Sequence, residues 1–93
     1  MDYLFANLPF NGDISDWDTS SVNDMSGMFA GSNFNGNIKN WDVSHVERFD
    51  FMFNHTPFNQ DLSKWNVSNA KQMQFMFAES DFNQDMRKWN WDI

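Results

Sequence analysis

Apolar residues return along this chain at a fixed interval of 24 residues. Each interval opens with a Phe-Asn pair and carries a Trp seven residues later; the pairs begin at Phe10, Phe34, Phe58 and Phe82, and the tryptophans are Trp17, Trp41, Trp65 and Trp89. Self-similarity at a fixed period indicates a repeat architecture. We therefore predict a single repeat domain over residues 1–93, with a partial unit at 1–9, repeats at 10–33, 34–57 and 58–81, and a partial repeat at 82–93.

Within each unit the apolar spacing changes partway along. Leu62, Trp65 and Val67 follow an L-x-x-L-x-L pattern, and the two-residue step from Trp65 to Val67 is typical of one face of a strand. The next apolar residues recur at steps of three and four, which predicts a short helix; they are Ala70, Met73, Met76 and Phe77. Ser44 and Ser68 stand where the helix N-caps would lie. The predicted fold is an α/β repeat solenoid, a short right-handed stack of about four strand-plus-short-helix units with a parallel sheet.

The repeat has the pattern F-N-x-D-L-S-x-W-D-V-S-x-V-x-x-M-x-x-M-F from Met1 to Trp89. It resembles the BspA-like branch of leucine-rich-repeat proteins, with related repeats in mycoplasma lipoproteins, Listeria-type surface proteins and some mobile-element genes. The resemblance implies a leucine-rich-repeat-like stack. It also implies an extracellular protein that acts by adhesion.

The composition of the 93 residues removes several classes of protein. There is no Cys, so disulfides and Cys-based metal sites are excluded. A net charge of −7 argues against direct nucleic-acid binding, and no apolar run reaches the roughly 20 residues that a membrane span needs. The first residues lack the charged-then-apolar pattern of a signal peptide, so none is expected. We expect a cytoplasmic protein if this is the whole gene product, and a cell-surface location if it is a fragment of an adhesin.

Charge is distributed unevenly along the chain. Residues 1–24 contain five Asp and no Lys or Arg, a net of −5, which leaves −2 for residues 25–93. Such an acidic end predicts a partner protein with a basic surface. The predicted contact residues are Asp13, Asp16, Asp18 and Asp42. The alternative is that the acidic side chains only keep the repeats soluble.

The end of the sequence supplies a further candidate contact, Trp91, which replaces the Val of other units. An unpaired strand edge beside exposed aromatic side chains favours pairing with another chain. We predict that this edge forms a homodimer or inserts into a partner. The alternative is that Trp91 folds back as a cap on the stack.

The sequence offers no catalytic, metal-binding or cofactor-binding motif. His45 and His55 occupy unrelated repeat positions, so a metal site is not expected. Asp13, Asp61 and Asp85 align as a carboxylate column, which suggests either Ca²⁺ binding or, as we favour, turn capping. Glycine stands after the Phe-Asn pair at 12 and 36, but glutamine stands there at 60 and 84, so this position does not demand glycine.

These observations predict a non-enzymatic protein–protein interaction module that acts through a polar, acidic-ended face. A narrower hypothesis is a small phage or mobile-element inhibitor, of the anti-CRISPR or anti-restriction type, that blocks a nucleic-acid-binding complex. This hypothesis rests on class-level analogy. The alternative is a fragment of a bacterial surface adhesin with BspA-like repeats.

Overall fold

The 24-residue spacing places equivalent phenylalanine rings of neighbouring units against one another. The computed structural model describes residues 2–84, and two columns of stacked rings run through its core. Within a unit the ring centroids of Phe53 and Phe58 are 4.1 Å apart, and between units those of Phe29 and Phe53 are 5.6 Å apart. Each buried aromatic ring removes roughly 150–250 Å² from water, so these columns supply much of the hydrophobic stabilisation. The columns contain Phe5, Phe29, Phe53 and Phe77, and Phe10, Phe34, Phe58 and Phe82.

The tryptophans join each unit to the one before it. The indole Nε1 of Trp41 donates to the carbonyl oxygen of Ile14, and that of Trp65 donates to Ile38, each at 3.0 Å. Both indoles are only 4% exposed, so this bond satisfies a donor that would otherwise be buried without a partner. Trp17, in the first full unit, remains 40% exposed.

Backbone hydrogen bonds follow the same repeat. Alternate N–H groups donate to carbonyls of the next unit, 23 residues further along; examples are Phe49 to Gln72, Phe51 to Gln74, Phe53 to Met76 and His55 to Ala78. The N–H groups between them bond three residues back in their own unit, as Met52 does to Phe49 and Asn54 to Phe51. Each unit therefore alternates between bonds that close its own turns and bonds that join it to its neighbour.

The predicted α/β solenoid with a parallel sheet is wrong. Residues 2–84 contain no helix and no sheet, and their extended pairing is limited to isolated parallel bridges from Asp24 to Arg48 and from Arg48 to Gln72. The stretch predicted as a helix is a run of β-turns closed by i to i+3 bonds, such as Met76 N–H to the Met73 carbonyl. Overlapping turns of this kind repeat their apolar positions at steps of three and four, which is why they imitate a helix in the sequence.

Two positions in each unit have a positive φ that no right-handed helix accommodates. The first column contains Tyr3, Gly27, Phe51 and Phe75, and the second contains Asn7, Gly31, His55 and Glu79. Gly27, for example, is the third residue of the turn that the Met28 N–H closes onto the Met25 carbonyl. A positive φ at this place is characteristic of type II turns. A right-handed helix therefore cannot continue through either of these positions.

The predicted strand is also a series of turns. Trp65 N–H bonds to the Leu62 carbonyl at 3.0 Å, and Ala70 N–H bonds to that of Val67 at 3.0 Å. Ser68, predicted as a helix N-cap, instead donates its N–H to Oδ1 of Asn66 at 3.0 Å, and Ser44 donates in the same way to Asp42. The local alternation nonetheless holds, because Trp65 and Val67 are buried while Asn66 between them is exposed.

Candidate functional site: the acidic face

Three of the predicted contact residues are the first residues of Asx turns. The Oδ1 of Asp13 accepts the N–H of Ser15 at 3.0 Å and its hydroxyl at 2.7 Å. Asp18 bonds in the same way to Ser20, and Asp42 to Ser44, with hydroxyl distances of 2.6 Å in both cases. All three Asp residues are exposed. Asp-x-Ser in this sequence is therefore a turn in which one carboxylate oxygen replaces a backbone acceptor.

These hydrogen bonds lower the pKa of the three carboxyl groups. For Asp13 the larger cause is the Ser15 backbone N–H, whereas for Asp18 and Asp42 it is the hydroxyl of the following Ser. Donors that bond to the ionised form favour it. The Asx turns therefore favour the negative charge of Asp13, Asp18 and Asp42.

The structure brings two of the acidic turns into one column. Asp18 and Asp42 occupy the same position of neighbouring units, and the charge of Asp42 slightly opposes the lowering of the pKa of Asp18. The segments are joined between these turns, where the Thr19 hydroxyl donates to the Asp42 carbonyl at 3.0 Å. Asp13 belongs to a second column of Asx turns with Asn37 and Asp61.

The other two predicted contact residues differ from these. Asp16 is exposed, and its carboxylate forms no hydrogen bond or ion pair within residues 2–84. Trp91 lies outside the described residues, as does the edge that was predicted to form a homodimer. We use the name acidic face for the four predicted contact residues that are described and exposed: Asp13, Asp16, Asp18 and Asp42.

Asn occurs in both columns of Asx turns, which separates the turn from its charge. Asn37 Oδ1 accepts the Lys39 N–H at 3.1 Å, and Asn66 Oδ1 accepts the Ser68 N–H at 3.0 Å. An amide oxygen therefore closes the same turn that a carboxylate closes elsewhere. The turn requires an oxygen at this position, and it does not require a negative charge.

A polar groove between the first two full units adjoins the acidic face, and sequence reasoning missed it. It has a volume of about 470 Å³ and lies beside Asp13; its lining residues are Asn11, Gly12, Asp13, Ser15, Asn35, Gly36 and Asn37. Side-chain Oδ1 atoms cross it from unit to unit, since Asn11 Oδ1 accepts the Asn35 N–H at 2.9 Å. The sequence feature that could have indicated this groove is the presence of Gly at 12 and 36 where the later units have Gln at 60 and 84.

A second open groove, of about 370 Å³, lies further along the same units. It is lined by Ser20, Ser21, Asn23, His45 and Glu47. The nearest partner of the His45 ring is the Ser44 hydroxyl, at 3.4 Å from Nδ1. The part of the chain that the structure describes brings together no group of three or more side chains able to hold a metal ion.

The comparisons with known proteins identify a family. Across residues 2–84 no helix has the length and apolar character needed to cross a membrane. No curated protein and no solved structure gives a significant match to the sequence. A family described as "Mycoplasma protein of unknown function, DUF285" matches residues 1–92, almost the whole chain. The 24-residue repeat protein described above therefore belongs to the DUF285 family.

Proposed function

We propose that this chain is a non-enzymatic protein-binding module whose contact surface is the acidic face. The observation that carries the proposal is the exchange of Asp and Asn in the columns of Asx turns. The turns form with either residue, yet five Asp and no basic residue occur in residues 1–24. Three of those five, Asp13, Asp16 and Asp18, belong to the exposed acidic face, and exposed charge that the turns do not require is suited to recognition of a partner.

The partner that fits this face is a protein with a basic surface. Complementary charges across an interface accelerate association and discriminate among partners. The Asx turns hold three of the four carboxylates, those of Asp13, Asp18 and Asp42, at fixed positions, so these side chains lose little conformational freedom when a partner binds. Binding through such a face weakens as salt is added, because exposed charges are screened over about 8 Å at physiological ionic strength.

The test is charge removal that leaves the turns intact. Asp13→Asn, Asp16→Asn and Asp18→Asn are combined in one variant, and affinity for a partner identified by pull-down from the native host is measured by titration calorimetry. The matched control removes three charges from the other end of the chain with Asp61→Asn, Glu79→Gln and Asp81→Asn. We expect about a tenfold or greater loss of affinity for the first variant, equivalent to about 1.4 kcal/mol, and a much smaller loss for the control. Equal affinities of the two variants would refute the placement of the contact surface.

A second candidate function is adhesion, as a segment of a bacterial surface protein with BspA-like repeats at the cell surface. The match to a family described for Mycoplasma supports this candidate, together with the resemblance of the repeat to surface-protein repeats. The gene that encodes the chain would then carry an export signal and further repeats. Protease treatment of intact host cells tests it: cleavage of the protein supports a surface location, and full protection in cells whose known surface proteins are cleaved rules it out.

A further inference from the structure

In the later units a glutamine side chain fills the position where the earlier units have glycine. Gln60 Nε2 donates to the carbonyl oxygen of Asn35 at 3.0 Å and to its Oδ1 at 3.1 Å. Gln84 Nε2 makes the same pair of bonds to Asn59, both at 3.1 Å. Residues 2–84 thus contain two copies of a site in which an N–H donor bridges the two oxygens of an asparagine.

The third copy of this site has the acceptors but no donor. Gly36 stands in the position of Gln60, so the carbonyl oxygen of Asn11 has no donor among residues 2–84, and Asn11 Oδ1 receives only the Asn35 N–H. The space that a glutamine side chain would fill is part of the groove of about 470 Å³. The groove is therefore an open version of a site that the chain fills by itself elsewhere.

The open site also differs in charge from the filled site of Gln60. Asp13 lines it, whereas the neutral Asn37 holds the equivalent place beside Gln60; Asp61, in the same column of Asx turns, holds that place in the filled site of Gln84. Asp13 uses Oδ1 for its turn, which leaves Oδ2 without a hydrogen-bond donor in the described part of the chain. The site thus offers a carbonyl oxygen, an amide oxygen and a carboxylate oxygen to an incoming group.

We propose that this groove binds an arginine side chain of the partner protein, with guanidinium N–H groups on the two Asn11 oxygens and the charge beside Asp13. Arginine fits better than the other donors because its planar group carries five N–H donors in a fixed fork. Glutamine brings no charge to Asp13, and the lysine ammonium is a compact point charge without the planar fork. The inference rests on the proposed protein-binding function and specifies the chemistry of the partner at one point.

The first variants fill the groove or only narrow it. Gly36→Gln supplies the chain's own amide to Asn11, whereas Gly36→Ala is the matched control that adds the Cβ without the amide. Both place that Cβ close to the Phe34 ring, 2.8 Å from Cε1 before relaxation, so any cost in stability is shared. Thermal unfolding of both variants checks that this cost is equal.

The second variant adds an open site between the next two units. Gln60→Gly removes the amide from Asn35, and Asn37→Asp supplies the carboxylate while keeping its Asx turn. The double variant should therefore have two open sites. It keeps the proposal testable even if the variants at Gly36 do not fold.

The measurement is the shift of backbone amide NMR signals during titration with the peptide acetyl-Gly-Arg-Gly-amide. The same peptide with citrulline, which has the shape of arginine but no charge, is the ligand control. We expect saturable shifts at Gly36 and Asn37 with the arginine peptide, at concentrations on the order of millimolar. The citrulline peptide should bind several-fold more weakly. With the arginine peptide, Gly36→Gln should abolish the shifts, whereas Gly36→Ala should largely retain them. The double variant should show a second set of shifts near residue 60.

Three results would overturn the inference: no saturable shifts, equal binding of the citrulline peptide, or binding that persists in Gly36→Gln. Failure of the groove is distinguishable from failure of the proposed function. If Gly36→Gln retains the affinity for the whole partner while the triple Asn variant loses it, the groove is wrong and the acidic face stands. If neither variant changes the affinity for the whole partner, both the arginine groove and the acidic face are wrong as contact sites.

Discussion

The phenylalanine columns and the columns of Asx turns repeat at the same interval but accept different residues. In the core, every unit places the same ring at the same position, as Phe29, Phe53 and Phe77 do. On the surface, Asp13 and Asn37 alternate in one turn position without changing the turn. The core position requires a shape, whereas the turn position requires one oxygen atom. The fold therefore determines which residues are buried but leaves the charge of its turns free to vary.

The strongest test of the core requirement is Phe53→Ala. Phe53 is fully buried and its ring stacks on Phe29, Phe58 and Phe77. We expect its truncation to lower the free energy of unfolding by about 3–5 kcal/mol, measured by urea denaturation. Phe75→Ala is the matched control, because that ring is 63% exposed, and it should cost less than about 1 kcal/mol. Similar costs for both variants would contradict the assignment of the core.

The next largest effect is expected for Trp65→Phe. Phenylalanine keeps an aromatic ring at this position but removes the Nε1 donor, which leaves the buried carbonyl of Ile38 without that hydrogen bond. That carbonyl keeps the Trp41 N–H at 3.1 Å, so the cost comes from one lost hydrogen bond and from the space left by the smaller ring, together about 2–3 kcal/mol. Urea denaturation of Trp65→Phe and Trp17→Phe makes the comparison, since Trp17 is largely exposed. A loss of stability for Trp17→Phe as large as for Trp65→Phe would show that the donor is unimportant.

A smaller effect is expected at the turn that replaces the predicted helix. Gly27 has a φ of 61°, and a Cβ there would meet the ring of Tyr3. We expect Gly27→Ala to cost about 1–2 kcal/mol, in part from the left-handed backbone. Adding Tyr3→Ala removes the contact between the Cβ and the Tyr3 ring. The double variant should therefore recover only the part of the lost free energy of unfolding that is due to that contact. A stabilising Gly27→Ala, seen as a raised melting temperature, would contradict the turn geometry and favour a helix.

The smallest effect at neutral pH is expected for the turn oxygens. Combining Asp13→Asn, Asp18→Asn and Asp42→Asn keeps each Oδ1, so the free energy of unfolding near pH 7 should change less than in any of the destabilising variants above. In acid, the free energies of unfolding of the unsubstituted protein and of the triple Asn variant should differ. The folded-state pKa of each of these Asp residues lies below its ordinary value of 3.8, so their contribution to stability is complete above that value and is lost as the pH falls through the folded pKa.

Urea denaturation at about pH 7 and about pH 3 checks this prediction. The unsubstituted protein should lose more stability between the two conditions than the triple Asn variant does. Equal losses would mean that these hydrogen bonds do not favour the ionised carboxylates. A large loss for the variant already at neutral pH would mean that the turns require the charge after all.

The sequence predicted what is stacked but not the backbone conformation that stacks it. The 24-residue interval correctly aligned Trp41 with Trp65 and Phe29 with Phe53, because apolar spacing reports burial directly. The same spacing could not distinguish a helix from overlapping turns, since both return a side chain to the core after three or four residues. Gly27 and Gly31 carried the missing signal, but Phe51 and His55 adopt a positive φ at the equivalent positions and obscured it.

The candidate site was predicted in part for a related reason. Asp42 lies between two buried residues, and Asp13 and Asp18 each precede one, so the apolar pattern predicts the exposure of these three. Asp16 has exposed neighbours on both sides, and its exposure follows from its charge alone. The groove exists because Gly36 lacks the side chain that Gln60 has. The sequence could not predict it, because only the structure shows that the Gln60 amide bonds to Asn35. From the sequence alone, the exchange of glycine and glutamine indicated only that glycine was dispensable.

Bonds that join each unit to the equivalent positions of the next have a consequence for how the gene can change. An in-frame duplication of one whole repeat would present the same donors and acceptors on both of its sides, as Phe49, Phe51 and Phe53 already do toward the following unit. Loss of a single codon would instead shift every later contact out of alignment. Recombination between repeats can therefore alter the length of the protein without rewriting its contacts. The number of repeats and the chemistry of the unit that carries Asp13 and Gly36 are thus free to evolve separately.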